Sequence, residues 1–113
     1  MSDLNESLAL SEELLAFITQ SPSMFHTTQT IKEYLLENGF TYLSEGSSWD
    51  VLPGGAYFTT RNNSSIVAWK VGEKYREPQT SSADAPYHFQ LAVAHGDSPT
   101  YKVKAQPELT GDG

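Results

Sequence analysis

Cysteine is absent from this chain of 113 residues, and its absence excludes disulfide bonds, thiolate zinc sites and thiol catalysis. A metal ion bound to this chain would therefore have to be held by histidine, aspartate and glutamate side chains. Histidine is scarce as well, because the sequence contains only His26, His88 and His95. The candidates for a metal centre are thus few, and each of them can be considered in turn.

Basic residues are also in short supply. Lysine and arginine together number 7, against 14 aspartates and glutamates, and the formal net charge is −7. Binding to a phosphate backbone or to an anionic lipid surface requires a basic patch. We therefore expect neither a nucleic acid nor a membrane as the partner of this protein.

Long apolar runs are missing, since no stretch approaches the roughly 20 residues that span a bilayer. The N-terminus, MSDLNESLALSEELL, is acidic and lacks the basic start of a secretory signal or a transit peptide. These absences predict a soluble cytoplasmic protein. A hydrophobic content of 38% in 113 residues is typical of one ordinary globular domain, and we expect no second one.

The first forty residues have the periodicity of two helices. The first is predicted over 4–20, where apolar residues recur at three- to four-residue multiples: Leu4, Leu8, Leu15 and Ile18. The segment SPS at 21–23 interrupts it, because a proline disfavours helical angles in the residue before it. A second helix is predicted over 27–38, with Gly39 as its stop.

The following residues have the alternation and turn chemistry of strands. GFTYLSEG enters as an extended segment, and the runs AYFTTR and SSIVAWKV predict two strands joined by a hairpin at 61–64. PGG at 53–55 predicts a turn. Residues 72–86 are polar and contain proline, and we interpret them as a mobile surface loop.

The last clear strand is predicted over 87–95, YHFQLAVAH. Its uniformly apolar centre is typical of a strand covered on both faces, and we expect His95 to end it on the site side of the sheet. Two short helices and one hairpin offer little cover for both faces. The layout, N-terminal helices followed by strands of a mixed sheet, therefore predicts an α/β domain over 1–113 that forms the first part of a larger α/β unit.

His95 and Asp97 lie just past the predicted end of this strand, where ligands bind in α/β sheets. Side chains two apart on an extended strand point to the same side, with about 6–7 Å between their Cα atoms. An imidazole can bind zinc through one nitrogen while the other donates to a carboxylate that orients the ring. The pair therefore suggests a metal ligand and its support. The alternative is a histidine that hydrogen-bonds a turn, with Asp97 capping the residues after it.

The other two histidines do not complete a metal site. His88 is seven residues before His95 and would face the opposite way on an unbroken strand, which predicts a surface position. His26 precedes the second helix, where a contact within the N-terminal turn is expected. A catalytic zinc usually needs three protein ligands and an open position, and the sequence does not identify three convergent ones.

Three pieces of the sequence, in this order and spacing, resemble the N-terminal part of the aspartyl-aminopeptidase-type family of zinc metallopeptidases. They are SPSMFH at 21–26, the run GFTYLSEGSSWDVLPGGAYFTTRNNSSIVAW at 39–69, and AHGDSPTYKVK at 94–104. The resemblance implies a cytosolic aminopeptidase with two co-catalytic zinc ions, assembled as a large homo-oligomer. It implies a peptide substrate, from which N-terminal and often acidic residues are removed.

Carried onto this sequence, the family pattern makes His95 a zinc ligand and Asp97 the carboxylate that orients it. Two departures matter. Gly96 stands where family members usually carry threonine or serine, which loosens the strand end. The chain is also several times shorter than family members, and the remaining metal ligands and the general base have no counterpart in it. The resemblance thus implies an incomplete, N-terminal part of a larger co-catalytic zinc peptidase domain. The alternative is a truncated, inactive relative with a structural or interaction role.

Overall fold

The computed structural model describes residues 2–74, 88–101, 103–106 and 108. Within them the chain forms two helices followed by three strands: α1 Ser2–Gln20, α2 Met24–Glu37, β1 Thr41–Tyr42, β2 Ala56–Arg61 and β3 Ser65–Lys70. The strands form one mixed sheet in the order β1-β2-β3. The predicted α/β class, helices first and a mixed sheet after them, is confirmed. No helix in the described ranges is long and apolar enough to cross a membrane.

The corner between the helices is built by the SPS segment. Ser21 donates its backbone N–H to Ile18 O at 3.1 Å and so closes the last turn of α1. Ser23 then caps α2, with extended backbone angles and a side chain that accepts from the N–H of His26. Helix α2 therefore begins at Met24, about one turn before the predicted position, because the cap lies directly after Pro22.

Helix α2 ends where glycine was predicted to stop it. Gly39 has a φ of +81°, a left-handed angle that glycine adopts without a steric penalty. Its N–H donates to Leu36 O at 3.2 Å, and the N–H of Phe40 donates to Leu35 O at 3.0 Å. This pair of bonds is the Schellman arrangement, and it turns the chain directly into β1.

The sheet is organised around β2, which has a neighbour on each side. β1 pairs with it in parallel, with Thr41 opposite Tyr57. β3 pairs with it antiparallel and is joined to it by the predicted hairpin. Asn62 and Asn63 occupy the turn with φ values of 52° and 51°. Two successive left-handed residues suit a tight hairpin turn, which the N–H of Ser64 closes by donating to Arg61 O at 3.1 Å; three residues lie between the paired Arg61 and Ser65.

The described core is small and is divided between the two faces of the sheet, because Tyr57 and Phe58 are neighbours on β2 and point to opposite sides. Its buried apolar residues are Leu35, Tyr57 and Phe58, and only Phe58 is completely inaccessible. The Phe58 ring lies 5.4 Å from that of Tyr42, and the Tyr57 ring lies 5.9 Å from that of Trp69. Helix α1 buries none of its residues, so its apolar stripe contributes little to this core.

The prediction of a strand over 87–95 is wrong for residues 88–95, the part of it that the structure describes. Residues 88–95 carry no strand assignment, and Phe89, Leu91 and Val93 are each more than 80% exposed. An apolar alternation becomes a strand only when a neighbour pairs with its N–H and C=O groups. Neither β1 nor β3, the edges of the described sheet, provides that neighbour. His95 therefore follows an exposed segment without strand pairing and does not end a central strand of the described sheet.

The loop predicted over 72–86 lies mostly outside the described residues. Only 72–74 are described, and they are exposed and form the start of a turn. The mobility predicted for this loop stays a prediction.

Candidate functional site

The turn at 95–98, called here the His95 turn, holds the imidazole by backbone contacts. His95 Nδ1 lies 3.0 Å from the carbonyl oxygen of Asp97 and 3.2 Å from its amide nitrogen. These contacts require opposite tautomers, because the carbonyl needs a protonated Nδ1 and the amide an unprotonated one. If the shorter contact is the hydrogen bond, Nε2 is unprotonated and able to bind a metal. The His95 side chain is exposed.

The Asp97 carboxylate closes the same turn from the other side. Its Oδ1 accepts the backbone N–H of Ser98 at 2.9 Å. The structure thus has the capping arrangement that was the alternative from the sequence, in which the main chain of Asp97 contacts the ring and its carboxylate caps the turn. This geometry keeps His95 suitable as a ligand. The predicted role of the carboxylate in orienting the imidazole stays a prediction.

A contact distant in sequence attaches the His95 turn to the helical corner. Ser98 Oγ donates to Ser21 O at 3.3 Å, across 77 residues. Ser98 is half-buried, whereas residues 88–97 are exposed throughout, and Ser21 is 5% exposed. The contact joins SPSMFH to AHGDSP, two pieces on which the family resemblance rests. Spacing could not have predicted this pairing; the only signal was that both pieces belong to that resemblance.

The remaining histidines lie where the sequence placed them. His26 Nδ1 is 2.6 Å from Ser23 Oγ, and its backbone N–H donates to the same oxygen at 3.4 Å, which confirms a contact within the N-terminal turn of α2. His88 is exposed, as predicted. No group of three His, Asp or Glu side chains within the described ranges could hold a metal ion. His95 and Asp97 therefore fit a part of a metal site and not a complete one.

The ion pair between Glu45 and Arg61 has the clearest electrostatic effect in the described chain. Arg61 Nε donates to Glu45 Oε1 at 2.9 Å. This hydrogen bond holds the pKa of the Glu45 carboxyl below its ordinary value and raises the pKa of Arg61. Both side chains are largely exposed, so solvent screens the pair and it contributes little to stability. It joins the segment after β1 to the end of β2.

An apolar groove of about 610 Å³ runs between the two helices. Its lining includes the apolar or aromatic residues Leu10, Leu14, Phe17, Ile31 and Tyr34 and the acidic residues Glu13, Glu33 and Glu37. None of its lining residues belongs to the His95 turn. The groove and the candidate metal ligand are therefore separate features of the chain.

Comparison with known proteins gives consistent matches. Residues 17–113 match the family described as aminopeptidase I zinc metalloprotease (M18). The aspartyl aminopeptidase of Dictyostelium discoideum is 40% identical over 110 residues, which are 97% of this chain and 21% of that protein. The chain spans between 21% and 23% of the length of three similar curated relatives, or about a fifth.

Solved structures agree with the sequence comparison. Chaetomium thermophilum mApe1 superposes with a TM-score of 0.58 at 41% identity, covering 60% of this chain and 16% of that one. The S. cerevisiae mApe1 dodecamer gives a TM-score of 0.54 at 33% identity, covering 59% of this chain and 16% of that one. By its sequence along nearly the whole length and by its fold, the chain belongs to the M18 family of aminopeptidase I zinc metalloproteases.

Proposed function

We propose that this chain is the N-terminal portion of a zinc-dependent aminopeptidase that removes N-terminal, preferably acidic, residues from peptides. The observation that carries the proposal is the His95 turn, in which Nδ1 lies 3.0 Å from the carbonyl oxygen of Asp97; a hydrogen bond to that carbonyl places the proton on Nδ1 and leaves Nε2 for a metal. The family match over 17–113, which includes this turn, supports the choice of reaction.

In this function His95 binds zinc through Nε2, and Asp97 holds the ring in the matching orientation. Zinc supplies a Lewis acid that polarises the peptide carbonyl and lowers the pKa of water. The complete enzyme has two co-catalytic zinc ions. A catalytic zinc needs about three protein ligands, so the rest of each site comes from residues other than those described here.

The setting proposed for the complete enzyme follows the same family pattern. It acts in the cytoplasm as a homo-oligomer, an assembly supported by the dodecamer of the similar S. cerevisiae protein. Its substrate is a peptide, and the acidic chain, with a net charge of −7, supports neither a nucleic acid nor a membrane as a partner.

A second candidate function is that of a catalytically inactive relative with a structural or interaction role. It is favoured by the lack, in the described part of the chain, of any group of three side chains that could hold a metal. The two functions differ in what the locus encodes. A reading frame that continues after codon 113 into the missing ligands supports the enzyme, and a genuine stop codon supports the inactive relative.

The deciding experiment is an aminopeptidase assay on acidic aminoacyl substrates, with the 113-residue chain and with any longer product of the locus. We expect no turnover and only weak zinc binding by the 113-residue chain. His95→Ala should not alter the absence of turnover by that chain but should abolish the activity of a longer product. His88→Ala is the matched control, since His88 is also an exposed histidine, and it should retain activity in the longer product.

Two results would contradict the expectation that the 113-residue chain holds only a part of the site. One is tight, stoichiometric zinc binding by the 113-residue chain in calorimetry. The other is turnover by the purified 113-residue chain that disappears with His95→Ala. Either would mean that a complete site forms without the residues the family supplies elsewhere.

A further inference from the structure

We propose that the Ser98 hydroxyl is a positioning group, which attaches the His95 turn to the corner between α1 and α2 and so fixes the metal-binding imidazole relative to the helices. The inference rests on the proposed metal-binding role of His95. In it, the hydroxyl of Ser98 and the carbonyl of Ser21 attach the turn to the helices, a role that serine does not suggest by its residue type alone.

Within the described part of the chain, three hydrogen bonds meet at Ser98. Its N–H donates to Asp97 Oδ1 at 2.9 Å, its Oγ donates to Ser21 O at 3.3 Å, and its carbonyl accepts from the N–H of Thr100 at 2.7 Å. The first and third bonds are local and shape the turn. The second is the bond that places the turn on another part of the molecule.

The acceptor is well placed to hold such a turn. Ser21 is 5% exposed, and its N–H is bonded to Ile18 O at the end of α1. The carbonyl of Gln20, the residue before Ser21, accepts from Thr30 Oγ1 of α2 at 3.3 Å. Ser23, two residues after Ser21, caps the same helix. Since both helix ends hold this corner, the Ser21 carbonyl has little freedom to move with the turn.

Among the described residues, none provides a comparable restraint for the segment leading into the His95 turn. Residues 88–97 are exposed and pair with none of the described strands. Without the Ser98 bond, the imidazole would sample more positions relative to the helices, and in a complete site only a fraction of them would meet a metal held by the remaining ligands. The apparent affinity of a ligand falls in proportion to the fraction of the protein in the competent state. A net hydrogen-bond contribution of ordinary size corresponds to about a 2- to 10-fold loss.

The chain offers a matched set of variants for a test. Ser98→Ala removes the donor, and Ser98→Thr keeps a hydroxyl at the same place. Ser21→Ala is the control, because the acceptor is the main-chain carbonyl, which alanine retains. The Ser21 hydroxyl is buried and has no hydrogen-bond partner among the described residues, so its removal breaks no bond seen in this structure.

The measurement is NMR on the zinc-free 113-residue chain, with 15N relaxation of residues 95–98 and the ring signals of His95. Each variant is then titrated with zinc, and binding is read on the same ring signals. We expect Ser98→Ala to increase the motion of 95–98 in the 113-residue chain, and to weaken zinc binding about 2- to 10-fold in a longer product that supplies the remaining ligands. Ser98→Thr should restore both quantities, Ser21→Ala should match the parent chain, and the amide shifts of β2 and β3 should stay the same in every variant.

The outcomes separate this inference from the proposed function. Equal motion of residues 95–98 in the parent chain and in Ser98→Ala would overturn the positioning role, whatever zinc does. The positioning role is also overturned if Ser21→Ala loosens the turn as much as Ser98→Ala. If zinc leaves the ring signals of His95 unchanged in the parent chain while Ser98→Ala still loosens the turn, the metal-binding role of His95 fails and the attachment of the turn stands.

Discussion

Replacement of Phe58 by alanine tests whether the small core described here stabilises the chain. Phe58 is the only completely inaccessible large side chain among the described residues. It lies in the middle of β2, opposite Ala68 of β3, and its carbonyl accepts the N–H of Leu43 at 2.8 Å. The substitution leaves these backbone bonds in place and removes the ring from its contact with Tyr42.

The expected loss depends on the surroundings of the ring. Phe→Ala changes in protein cores cost about 3–5 kcal/mol. The neighbouring Tyr42 is 40% exposed, so this site can partly collapse or admit water, and we expect about 3 kcal/mol. A domain of this length has a free energy of unfolding of about 6–17 kcal/mol, and so small a described core places it near the lower value. The substitution should therefore remove about half of the stability.

Urea denaturation followed by the fluorescence of Trp49 and Trp69 measures this effect. With a slope of about 2 kcal/mol per molar, the midpoint should fall by about 1.5 M. Val67→Ala is the control, because Val67 lies in β3 and is 62% exposed, and it should cost less than about 1 kcal/mol. Equal shifts for Phe58→Ala and Val67→Ala would refute the reasoning, since they would mean that the ring is not held in a packed core.

Two further predictions concern the surface and the turn before β2. The hydrogen bond from Arg61 lowers the pKa of Glu45 in the folded chain, so the stabilisation by this ion pair is present above the ordinary glutamate pKa and is lost as the pH falls through the lowered pKa. The stability difference between the parent chain and Glu45→Gln should accordingly vanish in acid. A difference independent of pH would contradict the assignment of the pKa shift to Arg61. Gly55→Ala should destabilise by about 1–3 kcal/mol, because a methyl group there would overlap the Tyr57 side chain, whereas Gly46→Ala, with open space around it, should be nearly neutral in the same urea assay.

Local signals in the sequence were sufficient for much of this fold. The apolar period predicted α1 within two residues of its observed start, Gly39 marked the end of α2, and the two asparagines at 62–63 form the predicted hairpin turn. Each of these features depends on backbone preferences of a few neighbouring residues. The N-cap at Ser23 was not predicted, although a serine directly before a helix is a typical N-cap signal. The segment SPS was interpreted as a break between the helices because of Pro22, and the second helix was therefore predicted to start only at residue 27.

The candidate site was only partly accessible from the sequence. His95 and Asp97 could be chosen from the strand-end position and from the family resemblance, because these are properties of residue type and order. The pattern YHFQLAVAH could not determine whether a strand forms there, because pairing requires a neighbour in space. The partners of His95 and the bond between Ser98 and Ser21 depend on how the helical corner and the turn meet across 77 residues. Residue types and spacing therefore determined which groups could serve a metal, and only the tertiary structure decided which of them are held together, since a hydrogen bond depends on distances that sequence separation does not set.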